Sequence, residues 1–138
     1  MTSLFEIAKT LAALVEQQAT ALGVPVTISV VDIHGNLVLK HRLPDAPLIS
    51  LEMSERKAYT AALLDMKTVD LTPLVVPGER MYTLTSVAGG RFVAFGGGAP
   101  LRREGRVVAG VGVSGGTTEE DVEVLDAALA ALGDESLG

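Results

Sequence analysis

The chain has no cysteine among its 138 residues, which excludes a disulfide framework, a thiol nucleophile and a thiolate metal site. Tryptophan is absent too, and the aromatics amount to three Phe and two Tyr, so the interior must be built from aliphatic side chains and closely packed backbone. Histidine occurs only at His34 and His41, with no third ligand nearby, and that spacing matches no zinc site. No apolar run approaches the roughly 18 residues of a membrane-spanning helix. Glu6 and Lys9 interrupt the first apolar pattern, so it does not read as a secretory signal. Positive charge is scarce. Eleven Lys and Arg stand scattered against 17 Asp and Glu, a net charge of −6, which argues against nucleic acid or an anionic membrane as partner. The expectation is a cytoplasmic protein.

What is present is apolar: 48% of residues are hydrophobic, enough for one globular domain spanning 1–138. Ser3 and Glu6 form a capping-box pattern ahead of a helix whose buried stripe is Leu4, Ile7, Ala8, Leu11, Leu14, Val15 and Leu22. Gly23 stops it and Pro25 prevents a restart. Val26 to Val31 alternates and is β-branched, Asp32 to Asn36 is a turn, and Leu37 to Leu43 returns as the second strand of a hairpin. On that strand Leu37, Leu39, His41 and Leu43 share one face, and Val38, Lys40 and Arg42 share the other. Asp45 can cap a helix from Leu48 to Met66, with Pro47 in its first turn. Strands are expected at Met81 to Val87 and Arg91 to Phe95, with a charged turn from Arg102 to Arg106.

The stretch Val107 to Asp126 organises the remainder. An apolar run with Gly110 and Gly112 inside it suggests a central strand pressed against a helix, a partner chain or a ligand, because glycine otherwise weakens a strand. Gly115-Gly116 makes an elbow, and Thr117 with Glu120 forms a capping box before Val122, Leu125, Leu129 and Leu132 recur at helical spacing. Gly110 to Gly115 matches the dinucleotide fingerprint G-x-G-x-x-G by letter, yet two of its glycines fall inside the strand. The helix it feeds opens with Glu119, Glu120 and Asp121, which would repel a pyrophosphate. Gly112 to Gly116 has the spacing G-x-S-x-G, but no histidine follows Ser114, so a hydrolase triad is excluded. The order α-β-β-α-β-β-(β)-β-α with hairpins is α/β in content (α+β in arrangement), an antiparallel sheet with helices packed on it.

Five stretches in order, VVDIHGNLVLKHR, SERKAYTAAL, PGERMY, FGGGAPL and GVGVSGGTTEED, make the chain resemble the GlcG/HbpS family of small haem-binding-like domains. The similarity is closest to the branch represented by the C-terminal domain of PduO proteins. The resemblance implies a three-layer α-β-α fold around a mostly antiparallel, profilin-like sheet of five to six strands. It also implies homo-oligomers, often octamers, and for some members haem binding in accessory or sensor roles, with possible association with a bacterial metabolic compartment. The family pattern falls on Val31, Asp32, Gly35, Arg42, Lys57, Ala58, Thr60, Ala61, Gly97, Gly98, Pro100, Gly112, Ser114, Gly115 and Gly116. Two departures stand out. Pro44-Asp45 replaces the usual Asp-Gly, and the first helix lacks the histidine that some related domains carry as a proposed haem ligand.

From these positions the candidate ligand-binding set is Arg42, Lys57, Thr60, Gly97, Gly98, Pro100, Ser114, Gly115 and Gly116. Arg42 and Lys57, facing one cleft with the two glycine loops, would clamp a carboxylate or a haem propionate, arginine as a fork and the glycines as bare N–H donors. The alternative for both cations is a solvated surface. His41, among leucines, is the candidate haem-iron ligand, set against a hydrogen-bonded core or interface role; Tyr59 and Tyr82 are the other donors. His34 reads as an exposed turn residue, and the acidic run 119–123 as helix capping. The expected function is a homo-oligomeric binding domain for haem, another tetrapyrrole or a small carboxylate. The alternatives are an enzyme acting on a small hydroxy acid, diol or haem, and a structural oligomeric subunit.

Overall fold

The computed structural model describes residues 2–133. Helix α1 (Leu4–Leu22) leads into the hairpin β1 (Thr27–Asp32) and β2 (Leu37–Arg42). Helix α2 (Ile49–Leu64) and the short α3 (Thr68–Leu71) follow. The chain then runs through irregular and 3-10 turns to β3 (Gly98–Arg103), β4 (Arg106–Ser114) and helix α4 (Thr118–Leu132). The four strands form one antiparallel sheet in the order β2-β1-β4-β3. The longest strand, β4, therefore lies at the centre, as its glycines suggested.

The two faces of the sheet differ in chemistry. One carries Ile28, Val30, Ala109, Val111 and Val113 against α1 and α4, whose Ile7, Leu11, Val15, Val124, Leu125 and Ala128 complete an aliphatic core. The other face meets α2 across small and polar residues. Thr27 and Ser29 of β1 hydrogen-bond Ser50 and Ser54 of α2 at 2.7 and 2.8 Å, so the buried hydroxyls satisfy one another. On β4 that face is glycine. A Cβ on Gly110 would overlap the Ala58 carbonyl oxygen, and one on Gly112 the carbonyl of Ser54. Of the three candidates for what presses on the strand, the helix is the one found. The result is the expected α+β, three-layer α-β-α domain.

Several local expectations need correction. The sheet has four strands among the described residues, not five to six. Met81 to Val87 is no strand but holds a 3-10 turn at Leu84–Ser86, a second follows at Ala88–Gly90, and Arg91 to Phe95 forms no strand. Positive φ at Ala88, Gly89 and Gly90 breaks the extended path there. The third strand lies instead on Gly98–Arg103, through Pro100, which an edge strand tolerates because one side of its ladder is unpaired. Asp45 does not cap α2: it sits at φ 71, and the N-cap is Leu48 with no side-chain bond. Half of the first capping box forms. Ser3 accepts from Glu6 N, while the Glu6 carboxylate pairs with Lys9 at 3.2 Å. The second forms completely between Thr117 and Glu120.

Candidate binding site

Lys57 is the first surprise of the candidate set. It is 2% exposed, on the face of α2 that meets β4. Its ammonium donates to the Val113 carbonyl at 2.9 Å and to the Asp121 carboxylate at 3.0 Å. Asp121, also 2% exposed, accepts from Gly116 N at 2.9 Å through its other oxygen. Burial pulls the Lys57 pKa down and pushes the Asp121 pKa up, each resisted by the opposite charge of its partner. Desolvation is therefore the dominant influence on both groups.

Much of the remaining candidate set closes around this pair. A Cβ on Gly97 would stand 3.0 Å from Lys57 Nζ and 2.6 Å from Val113 O, and one on Gly98 2.6 Å from Lys57 O. Gly98 N donates to Thr68 at 2.8 Å. Ser114 ends β4 opposite Thr27, and Gly115 leads to Gly116, whose N–H Asp121 takes. Pro100 pairs with Gly110 in the sheet. Thr60 donates to Arg56 O at 2.8 Å and accepts from Val93 N at 3.0 Å, fastening the segment after the 3-10 turns to α2. These residues form a packed junction of α2, β4 and α4, and the ammonium expected on a ligand is spent inside it.

Arg42 does not join Lys57. Its guanidinium donates twice to the Ala46 carbonyl, at 3.0 and 2.5 Å, tying the end of β2 to the loop before α2. The expected clamp of these two cations on one ligand is not formed. The assignment of strand faces holds late in β2: His41 points toward α1, with Nε2 3.4 Å from Glu16, and Lys40 points toward α2, 2.9 Å from Glu55. It fails at the start, where a register irregularity pairs Leu37 with Val31 and Leu39 with Val30, so the two leucines fall on opposite faces and Val38 packs with Leu39 against the α1–α4 core. His41 is neither core nor covered within this chain, its side chain being 46% exposed. His34 is an exposed turn residue beside Asp32, whose carboxylate accepts from His34 N and Asn36 N at 2.9 Å each. These backbone bonds, Asn36 foremost, hold the Asp32 pKa below its ordinary value.

A groove of ≈ 390 Å³ does open on the α2 layer, one helical step from Lys57. Gly35, Lys40, Leu51, Glu52, Glu55, Arg56, Tyr59 and Arg91 line it. Lys40 is matched by Glu55, and Arg56 by Glu52 at 3.2 Å. Arg56 also donates to Gly90 O at 3.0 Å, holding the 3-10 turns against α2. Among the described residues Arg91 is the cation of the groove without an acidic partner. It lies 4.6 Å over the Tyr59 ring, with Nε donating to Ala88 O at 2.9 Å. Phe92 supports the same ring at 5.4 Å. Gly35 is required here, since φ is +84 and a Cβ would strike the Tyr59 ring. Sequence reasoning missed Arg56, Arg91 and Tyr59 as a group. The available signal was the alternation that put Lys40 on the α2 face.

The architecture defines a three-layer α-β-α domain with a cationic groove on one helical layer. The chain belongs to the HbpS-like family: the family model described as haem degrading protein HbpS-like matches residues 5–130. It is 41% identical over 116 residues to the corrinoid adenosyltransferase PduO of Salmonella typhimurium, a match that covers 84% of this chain and 34% of that protein. The chain thus spans about a third of the length of that relative. It is 44% identical over 122 residues to an uncharacterized 15.0 kDa protein of Citrobacter freundii, encoded in the dhaT-dhaS intergenic region, covering 88% and 86% of the two chains. The crystal structure of a PduOC:heme complex superimposes with a TM-score of 0.90 at 38% identity, over 95% of each chain.

Haem places two demands on the residues present, an axial donor and cations for its propionates. On the α1 side His41 offers a donor. The shallow depression beside it is lined by Ala13, Glu16, Gln17, Thr20 and Ala21, without a cation. On the α2 side the groove supplies Lys40, Arg56 and Arg91 but no histidine. The α2 groove thus joins cations to one phenol, Tyr59, as a candidate axial donor, while the α1 surface joins a histidine to no cation. Among the described residues no helix is long and apolar enough to cross a membrane.

Proposed function

We propose that this chain is a homo-oligomeric accessory or sensor domain that binds a small anionic ligand, a small carboxylate or a tetrapyrrole propionate, in the groove between Lys40, Tyr59 and Arg91, and that it works in the cytoplasm. The observation that carries this reading is Arg91. Among the described residues it is a cation without an acidic partner, stacked on an aromatic ring in the wall of a groove, in a chain whose net charge is −6. Arg91 is exposed, so its guanidinium is open to a carboxylate, which can take its fork while the Tyr59 ring holds it in place. The other cations of the groove are already held in place by carboxylates, so the site needs little reorganisation on binding. Homo-oligomerisation is supported by the exposed apolar side chains of the segment before β3, namely Val76, Tyr82, Val87 and Phe95.

A haem reading draws on the PduOC:heme relative and on His41. With His41 on the iron it requires two copies, one giving His41 and the other the groove cations; with Tyr59 on the iron, the groove of one copy holds both donor and cations. The test is calorimetric titration with butyrate and Soret titration with haemin, on wild type, Arg91→Ala and His41→Ala, with light scattering for assembly. At least one ligand should bind, and Arg91→Ala should weaken it by about 1.5–3 kcal/mol, the worth of a hydrogen bond to a charged group. A haem spectrum lost in both variants identifies the shared site. Binding indifferent to Arg91, or no binding of either ligand, refutes the groove, and a monomer at micromolar concentration refutes the assembly.

A further inference from the structure

Tyr59 is 8% exposed, yet among the described residues its hydroxyl makes no hydrogen bond. The hydroxyl is not sealed from solvent, since among the described residues Arg103 Nε is the fully buried side-chain polar atom without a partner, so it is open to a ligand in the groove that Tyr59 lines. Its ring is held from three sides, by Arg91 over one face at 4.6 Å, by Phe92 at 5.4 Å and by the backbone at Gly35. The phenol is therefore fixed in the groove wall with its donor unused. Beside it Arg91 has only Nε engaged, on Ala88 O, so its terminal nitrogens are available. The remaining charges of the groove, Lys40 with Glu55 and Arg56 with Glu52, cancel in pairs.

We infer that the groove, on the reading above, selects a monocarboxylate: one carboxylate oxygen takes the Arg91 fork and the other accepts from the Tyr59 hydroxyl. A single surplus positive charge matches a single negative one. A second carboxylate on the same ligand would find no unpaired cation in the groove among the described residues, because Lys40 and Arg56 are already held by Glu55 and Glu52. Tyr59 adds discrimination that Arg91 cannot. A guanidinium attracts any anion, whereas the phenol rewards an acceptor placed at one point of the wall.

The experiment compares butyrate, butyramide and succinate by calorimetry on wild type, Tyr59→Phe and Arg91→Ala. Tyr59→Phe keeps the ring and its stacking and removes only the hydroxyl. It should weaken butyrate about tenfold with an unchanged thermal midpoint, and succinate should bind wild type at least about tenfold more weakly than butyrate. Butyramide should not bind measurably. Butyrate binding equal in wild type and Tyr59→Phe while Arg91→Ala loses it overturns this inference and leaves the groove standing. Equal binding in all three proteins overturns both. Should Tyr59→Phe fail to fold, the ring resonances of Tyr59, separated from those of Tyr82 by Tyr82→Phe, should move on butyrate addition to wild type. Unmoved resonances at saturation refute the contact.

Discussion

Replacing Lys57 by Met tests whether the buried ion pair holds α2, β4 and α4 together. The substitution conserves length and removes the ammonium that serves Asp121 at 3.0 Å and Val113 O at 2.9 Å. With both side chains almost wholly buried, the carboxylate left behind has neither water nor counter-charge, and breaking such a pair from one side costs about 3–5 kcal/mol. For a domain of this size each kcal/mol lowers the unfolding midpoint by about 3–5 °C, so Tm should fall by about 9–25 °C. The double variant Lys57→Met/Asp121→Leu buries no charge. It should be less destabilised than the sum of its single changes by about 2 kcal/mol or more. The pH dependence offers a second readout. In wild type, burial already pushes the Asp121 pKa above 3.8, and the lowering influence of Lys57 disappears in Lys57→Met. The folded variant then binds a proton more tightly than its unfolded chain. Its stability should rise as pH falls from neutral toward 3.8, the reverse of ordinary acid destabilisation. Urea unfolding followed by circular dichroism measures both effects. Single variants that each cost under about 1 kcal/mol, add to the double, and lack the inverted pH slope would refute the reasoning.

Three further outcomes are expected. Gly112→Ala should cost more than about 3 kcal/mol or abolish soluble expression, because the new Cβ overlaps the Ser54 carbonyl and α2 must lift from β4. Gly105→Ala, at φ +79 with nothing within 4 Å, should cost only about 1 kcal/mol of backbone strain; equal losses in urea unfolding would remove the close-packing argument. Asp32→Asn should destabilise at about pH 6 and much less at about pH 2, since a carboxylate with a depressed pKa stabilises above its unfolded value and loses that contribution as pH falls through the folded one. The same deficit at both pH values would show that the charge of Asp32 contributes nothing to the turn.

Local chemistry made much of the fold legible. The helix α1 with Gly23 at its end, the turn at Asp32 and the box of Thr117 with Glu120 each satisfy their own backbone within a few residues, and the alternation of β1 marks its two faces directly. Glycines 110 and 112 announced a close approach for a similar reason, since nothing local excuses glycine in a strand. Met81 to Phe95 misled because β-branched and aromatic residues favour a pleated, half-buried surface, not extension itself. That segment is fastened instead by Arg56 to Gly90 and by Thr60 to Val93, across 34 and 33 residues.

The candidate site divides along the same line. That cations and small residues on α2 meet the loops of β3 and β4 follows from their positions in the sequence. Which cation faces inward does not: Arg56 and Lys57 are adjacent, one turned toward the groove and the other into the core. In a helix of serines and alanines with little apolar contrast between faces, the phase comes from what packs against it. Gly112 lets β4 approach at Ser54 and Ala58, and that contact turns Lys57 toward an aspartate 64 residues away. A sequence by itself determines the groups whose partners are a turn away. A buried charge finds its partner only when distant elements close on it, so tertiary structure alone decided that Lys57 stabilises the junction while Arg91 and Tyr59 are left facing the groove.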